Sequence, residues 1–288
     1  TVVVVAPRIL LAQQLCEDFL EQNLDGNYNV GVDVLHVHSG ETHYKSTTKA
    51  DEITYLVNNS TENLLIFTTY HSLRRVQEAE IEVDTIYFDE AHNSVQKNFV
   101  EATEYHSMYA NRCYFFTATP KHSKTPFKIG MNDEDIYGKV IVNVPAPKLV
   151  EQGVILPPKV IVKKIDVVDD SRFKHEHDCD HVISTIDDIR IDKVLVCARS
   201  TKQIVNLVAQ SDFCLELNAR GYSWMYITAK TGAVVDGKKV NRESFFNTLN
   251  EWGKDDTKKF VVLHHSILSE GINVKGLEAA VFLRNMDY

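Results

Sequence analysis

The chain has 288 residues, 44% hydrophobic and 25% charged, and carries a formal net charge of -9. That composition supports about two ordinary globular cores and excludes a disordered or fibrous chain. Residues 1–150 hold 12 Lys+Arg against 20 Asp+Glu, and residues 151–288 hold 19 against 20. This balance excludes a protein that coats polyanions through a global positive field, so any nucleic-acid contact must be local.

In chain order, short apolar runs at residues 2–5, 34–37, 64–68, 85–88 and 112–116 read as strands. Residues 9–21, 49–58 and 95–109 have apolar positions at helical spacing. Continuously apolar strands alternating with helices predict a parallel sheet covered on both faces. Prolines at 145, 147, 157 and 158, with Gly153, mark a boundary. The expected domains are therefore 1–153 and 154–288. The second half repeats the alternation, with strands expected at 159–165, 194–197, 224–228, 260–264 and 279–283 and helices at 201–219 and 242–252. The fold class expected is α/β, as two similar lobes, each a mainly parallel sheet flanked by helices.

The five cysteines form no C-x-x-C pair, which points to a reducing compartment, here the cytoplasm. No apolar run approaches the roughly 18 residues of a membrane span, and no membrane partner is expected. The apolar run at residues 2–5 follows Thr1 at once, so the natural chain is expected to extend upstream.

Asp89-Glu90-Ala91-His92 follows the apolar run 85–88 directly. Ligands of open α/β sheets sit at the carboxyl ends of strands. Two adjacent acids there suit phosphoryl chemistry: one holds Mg²⁺ through water, the other orients and deprotonates an attacking water. The same residues also fit a polar strand-to-loop turn. The next predicted strand ends in Thr117-Ala118-Thr119-Pro120, which sets two hydroxyls at the same sheet edge. A histidine- and acid-rich run, His175-Glu176-His177-Asp178-Cys179-Asp180-His181, is expected as a solvated loop rather than a metal site, because ligands so close in sequence rarely all reach one ion.

Asp-Glu-Ala-His followed by Thr-Ala-Thr-Pro resembles two motifs of superfamily 2 DEAD/DEAH-box helicases. The resemblance extends along the chain. Ala6-Pro7-Arg8 through Gln14, Thr68-Thr69-Tyr70-His71, Val194 through Ser200, and Leu268-Ser269-Glu270-Gly271-Ile272-Asn273 match further family motifs in order. The nearest flavour is that of type III restriction-enzyme subunits and phage-type DNA helicases. The resemblance implies two RecA-like lobes and an ATP-dependent helicase or translocase that takes ATP and Mg²⁺. It implies catalytic roles for Asp89, Glu90, His92, Thr117 and Thr119, with Asp89 holding Mg²⁺ through water. Glu270, Gly271 and Asn273 would face the nucleotide. Pro7, Arg8, Gln13, Thr68, Thr69, His71, Arg199, Ser200 and Ser269 would face nucleic acid, with DNA favoured over RNA. Attached nuclease or methylase modules stay open.

Two family elements do not occur in these residues: a G-x-x-x-x-G-K-[ST] phosphate loop and the arginine-bearing final motif. They are expected upstream of Thr1 and beyond Tyr288. These 288 residues by themselves are expected to hydrolyse ATP poorly or not at all. Two other readings stay open: a nucleic-acid-binding or scaffolding remnant without turnover, and a Mg²⁺-dependent hydrolase that uses the acids without ATP.

Overall fold

The computed structural model describes residues 1–25, 31–40, 42–125, 127–157, 159–162, 173–228, 230–265, 274 and 276–283. The chain separates into two compact units, Thr1–Lys159 and Val160–Tyr288.

In the first unit the strands are β1 (Val2–Ala6), β2 (Val32–Val37), β3 (Lys45–Ser46), β4 (Asn63–Thr69), β5 (Thr85–Phe88) and β6 (Arg112–Phe115). They form one sheet in the order β3-β2-β4-β1-β5-β6, and every pairing is parallel. The helices are α1 (Ile9–Asp25), α2 (Ala50–Asn59), α3 (Leu73–Glu78), α4 (Val100–Tyr109), α5 (Glu134–Tyr137) and α6 (Ala146–Glu151).

Side-chain alternation sorts the sheet into two faces. Val3 and Val5 of β1, Ile66 of β4 and Phe88 of β5 pack with Ile53 of α2, Leu73 and Val76 of α3 and Ala102 of α4. On the other face Ala6, Leu65 and Phe67 pack under Leu11, Ala12 and Cys16 of α1. Helices thus pack on both faces of the sheet, as the apolar strands led one to expect. Helix α1 lies against β1 and β4, while Tyr87 and Phe116, further along the sheet, are exposed.

The second unit contains α7 (Lys174–Ile189), β7 (Lys193–Ala198), α8 (Thr201–Gln210), α9 (Phe213–Ala219), β8 (Ser223–Thr228), β9 (Gly232–Val235), β10 (Lys238–Val240), α10 (Arg242–Lys254), β11 (Phe260–His264) and β12 (Ala279–Leu283). Its sheet runs β10-β9-β8-β11-β7-β12. The pairs among β8, β11, β7 and β12 are parallel, and β9 and β10 add an antiparallel edge. Helices α7, α8 and α9 cover one face through Val182, Ile204 and Phe213, and α10 covers the other through Phe245 and Leu249.

Four expectations are corrected here. Residues 159–162 are not in a strand, and the rest of the run 159–165 lies outside the described residues. The helix expected over 201–219 is two helices, because the Ser211 hydroxyl accepts the Phe213 N–H at 3.2 Å and turns the chain between them. Helix α4 begins at Val100, five residues later than expected, after a single 3-10 turn at Ala91–Asn93. The run His175 to His181 is helical, not a loop. Cys179, Val182, Ile183 and Ile186 fall at i, i+3, i+4 and i+7 and bury one face of α7, which carries the polar residues on its other faces. Among the described residues no three His, Cys, Asp or Glu side chains are grouped to hold a metal ion, and no helix is long and apolar enough to cross a membrane.

Candidate active site

Because every pairing of the first sheet is parallel, all its carboxyl ends lie on one edge. Backbone hydrogen bonds tie that edge together just past the last strand residues. Tyr70 N–H donates to the Ala6 carbonyl at 3.2 Å, Asp89 N–H to Val5 at 2.9 Å, Phe116 N–H to Phe88 at 2.9 Å and Ala91 N–H to Phe116 at 2.8 Å. Pro7 and Arg8, Tyr70 and His71, Asp89 and Glu90, and Thr117 therefore share one rim.

Asp89 leaves β5 half-buried, and Tyr70 fixes it from the neighbouring loop by donating its hydroxyl to the Asp89 carbonyl at 2.8 Å. Desolvation raises the Asp89 carboxyl pKa above the usual range; the Glu90 backbone N–H and His92 oppose that shift. Glu90 has φ 45 and ψ 50, a left-handed conformation that costs a non-glycine residue about 1 kcal/mol or more. Asn93 holds it there, since its backbone N–H and its Nδ2 both donate to the Glu90 carbonyl, at 2.9 and 3.1 Å. This turn swings the Glu90 carboxylate back to His92, with Oε2 at 3.3 Å from Nδ1.

His92 is the junction of the two sequence motifs. Its Nδ1 lies 3.0 Å from the Thr117 hydroxyl and 3.4 Å from that of Thr119. Thr119 N–H in turn donates to the Thr117 hydroxyl at 3.1 Å, which pins the loop after β6. A single ring nitrogen thus meets three oxygens, from Glu90, Thr117 and Thr119. Two strands bring these groups together from positions 25 or more residues apart in the chain.

The remaining candidate residues are placed unevenly. Pro7, Arg8 and Gln13 are half-buried at the start of α1. His71 is exposed and sets its ring edge-on to Phe99, with centroids 4.7 Å apart. Thr68 and Thr69 are both buried, and Thr68 donates its hydroxyl to the Val37 carbonyl at 2.8 Å. Thr68 therefore fastens β4 to β2 from inside the sheet and presents no hydroxyl to solvent, in contrast to the surface contact expected of it. In the second unit Arg199 is exposed at the end of β7, and its backbone N–H donates to Gln203 Oε1 at 2.8 Å. Ser200 caps α8 by accepting the Gln203 N–H at 3.2 Å. Ser200→Ala is expected to cost about 1 kcal/mol of stability, read as a lower denaturation midpoint. Ser269, Glu270, Gly271 and Asn273 lie outside the described residues.

Sequence reasoning passed over Tyr70 and Asn93, which hold the two acids through their backbone carbonyls. Their only signal was adjacency, Tyr70 at a strand end beside Thr69 and Asn93 one residue after His92.

Compared with known proteins, residues 1–122 match the family model described as "Type III restriction enzyme, res subunit". No curated protein matches the chain. Among solved structures, the DEAD-box helicase Mss116 bound to ssRNA and UDP-BeF aligns over 99% of this chain and 54% of its own, with a TM-score of 0.55 and 15% identity. A nuclease-deletion mutant of the Type ISP restriction-modification enzyme LlaGI, in complex with a DNA substrate mimic, covers 65% of this chain at 20% identity, with a TM-score of 0.43. The Hef helicase domain of Pyrococcus furiosus covers 98% of this chain and 86% of its own at 12% identity, with a TM-score of 0.35. The chain spans 17% of the LlaGI chain and about half of Mss116. Both units have mostly parallel, helix-flanked sheets of the RecA-like fold, and residues 1–122 are similar to the type III restriction res-subunit family.

Proposed function

We propose that this chain is the core of an ATP- and Mg²⁺-dependent motor that moves along nucleic acid, with DNA as its track. The observation that carries the reading is the His92 junction, where one ring nitrogen meets the carboxylate of Glu90 and the hydroxyls of Thr117 and Thr119. A group placed so reports a change at the acids directly to the loop after β6.

Asp89 fits a divalent cation. Its carboxylate is half-buried and its pKa is raised by desolvation, so a nearby cation offsets the cost of burying its charge. Mg²⁺ bound there would polarise a phosphoryl oxygen and neutralise developing negative charge. Because the ion competes with a proton for this carboxylate, its binding weakens as pH falls through the raised Asp89 pKa. Glu90 is the proposed base: it orients an attacking water and takes its proton. These residues contain no G-x-x-x-x-G-K-[ST] loop, so no phosphate cradle is assigned to any of them. The rim residues Pro7, Arg8 and His71, and Arg199 and Ser200 of the second unit, would hold backbone phosphates without reading bases. The preference for DNA rests on the restriction-enzyme family match alone.

The test compares NTP hydrolysis with and without nucleic acid in protein that also supplies a phosphate-binding loop. Stimulation by DNA is expected. In His92→Ala that stimulation should fall about tenfold or more, while binding of DNA changes little. If His92→Ala is stimulated like the parent, the junction does no coupling.

The alternative reading is a nucleic-acid-binding remnant without turnover. It predicts DNA binding with no hydrolysis even when a phosphate-binding loop is supplied.

A further inference from the structure

The loop between β6 and α5 differs chemically from the rest of its unit. Between residues 105 and 132 there is no Asp or Glu, in a half that holds 20 of them, and the loop carries Lys121, Lys124 and Lys128. All three lysines are exposed, and Phe127 between them is 100% exposed. Among the described residues none of these three ammonium groups has an ion-pair partner.

The loop is held firmly from below. The Lys121 carbonyl accepts the Met131 N–H at 2.8 Å. Asn132 grips Ser123 twice, accepting its N–H at 2.7 Å and donating to its carbonyl at 3.1 Å. The turn closes so tightly that a Cβ on Gly130 would lie 2.2 Å from the Ser123 nitrogen. A hollow of about 350 Å³ opens beside it, lined by Lys124, Lys128 and the residues Ser123 and Thr125, with Asp133 on its border. The Asp133 carboxylate is engaged as the cap of α5, accepting the Asp135 N–H at 3.2 Å. The loop starts at Thr119 and Pro120, on the rim that carries the His92 junction.

Cations on a pre-formed loop bind phosphates, and a bare aromatic ring beside them offers a stacking face to any unpaired base. We propose that this loop is a contact for single-stranded nucleic acid, with Phe127 stacked on a base and Lys121, Lys124 and Lys128 on the flanking phosphates. The proposal rests on the motor reading above and names the form of the track at this point. A hydrogen-bonded duplex offers no free base face, so the loop discriminates single strands from blunt duplex.

The test measures binding of the intact chain to an oligothymidine strand and to a blunt DNA duplex across a range of salt, by fluorescence anisotropy. Phe127→Ala is expected to weaken strand binding about fivefold or more, with duplex binding little changed. Lys124→Ala with Lys128→Ala is expected to make the slope of log affinity against log salt shallower by about 1.4, roughly 0.7 for each phosphate lost. These side chains are exposed, so the denaturation midpoint should not move. Strand binding and slope equal to the parent's in both variants would overturn the loop contact and leave the motor reading standing. Loss of binding to a polyglutamate peptide, without loss of strand binding, would also overturn it in favour of an acidic protein partner. A parent chain that binds neither strand nor duplex would sink the loop contact and the motor reading together.

Discussion

Glu90→Gln should lower nucleic-acid-stimulated NTP hydrolysis by about 100-fold or more, the scale of losing a positioned general base. The substitution is nearly isosteric. The left-handed backbone at this position is held by Asn93 through the Glu90 carbonyl, which glutamine retains. The side-chain amide can still reach His92 Nδ1, so the junction to Thr117 survives in outline. What disappears is the basic oxygen alone. The loss should therefore fall on turnover, while DNA affinity and denaturation midpoint stay near those of the parent. Steady-state hydrolysis beside a binding titration separates the two. Turnover within a few-fold of the parent would remove Glu90 from the role of base.

Acid should destabilise the first unit well before it protonates ordinary carboxylates. His36 in β2 is fully buried, stacked between Phe67 and Tyr44. Its Nδ1 lies 3.0 Å from His38 Nε2, and His38 Nδ1 accepts the Gly40 N–H at 3.1 Å. That chain of bonds fixes both tautomers. His38 must carry its proton on Nε2 and donate it to His36 Nδ1, which leaves His36 protonated on Nε2. There it has no hydrogen-bond partner in the structure. Burial, with the neighbouring His38, pushes the His36 pKa down from 6.5 to about 4, and burial lowers that of His38 as well. His106 is similarly pushed down to about 4 by burial in the α3–α4 core.

Each of these groups has a folded pKa below its unfolded value. The unfolded chain therefore takes up protons first as pH falls. The stability they permit is complete above about pH 6.5 and drains away toward pH 4. For His36 alone the loss reaches up to about 3 kcal/mol, at roughly 1.4 kcal/mol for each tenfold drop in proton affinity on folding. That is a large part of the ordinary 5–15 kcal/mol of a domain, approximately. Denaturant midpoints between pH 7.5 and 4.5 should fall steeply, and His36→Phe should make the fall shallower. A variant whose midpoints track those of the parent at every pH would show that this pair stays neutral for another reason.

The site was partly legible because its chemistry sits directly on strands. Asp89 and Glu90 follow four apolar residues with no gap, and a buried run can end only where polar groups reach water. Thr117 and Thr119 end the next such run. The observed strands Thr85–Phe88, Phe260–His264 and Ala279–Leu283 coincide with the expected ones, because continuous apolar stretches leave no alternative register. The edge hairpin of β9 and β10 was missed although it carries a standard signal. Asp236-Gly237 takes positive φ at both residues, 42 and 79, and joins Val234-Val235 to Lys238-Lys239. The start of α7 was not legible because, within 175–181, Cys179 alone is buried, and the helical spacing is completed only by Val182, Ile183 and Ile186.

By itself, then, the sequence determined most of the parallel strands, and that two of them end in acids and hydroxyls at their carboxyl ends. Periodicity and burial are local properties, written within a few residues of each other. Only the tertiary structure decided that His92 meets both threonines, that Tyr70 and Asn93 hold the acids, and that Thr68 turns inward to β2. It also decided that His36 and His38 share one buried proton chain and that Phe127 stands bare among lysines. Each of these depends on which strand lies beside which and on the backbone angle at one or two turns, and no spacing along the chain records either.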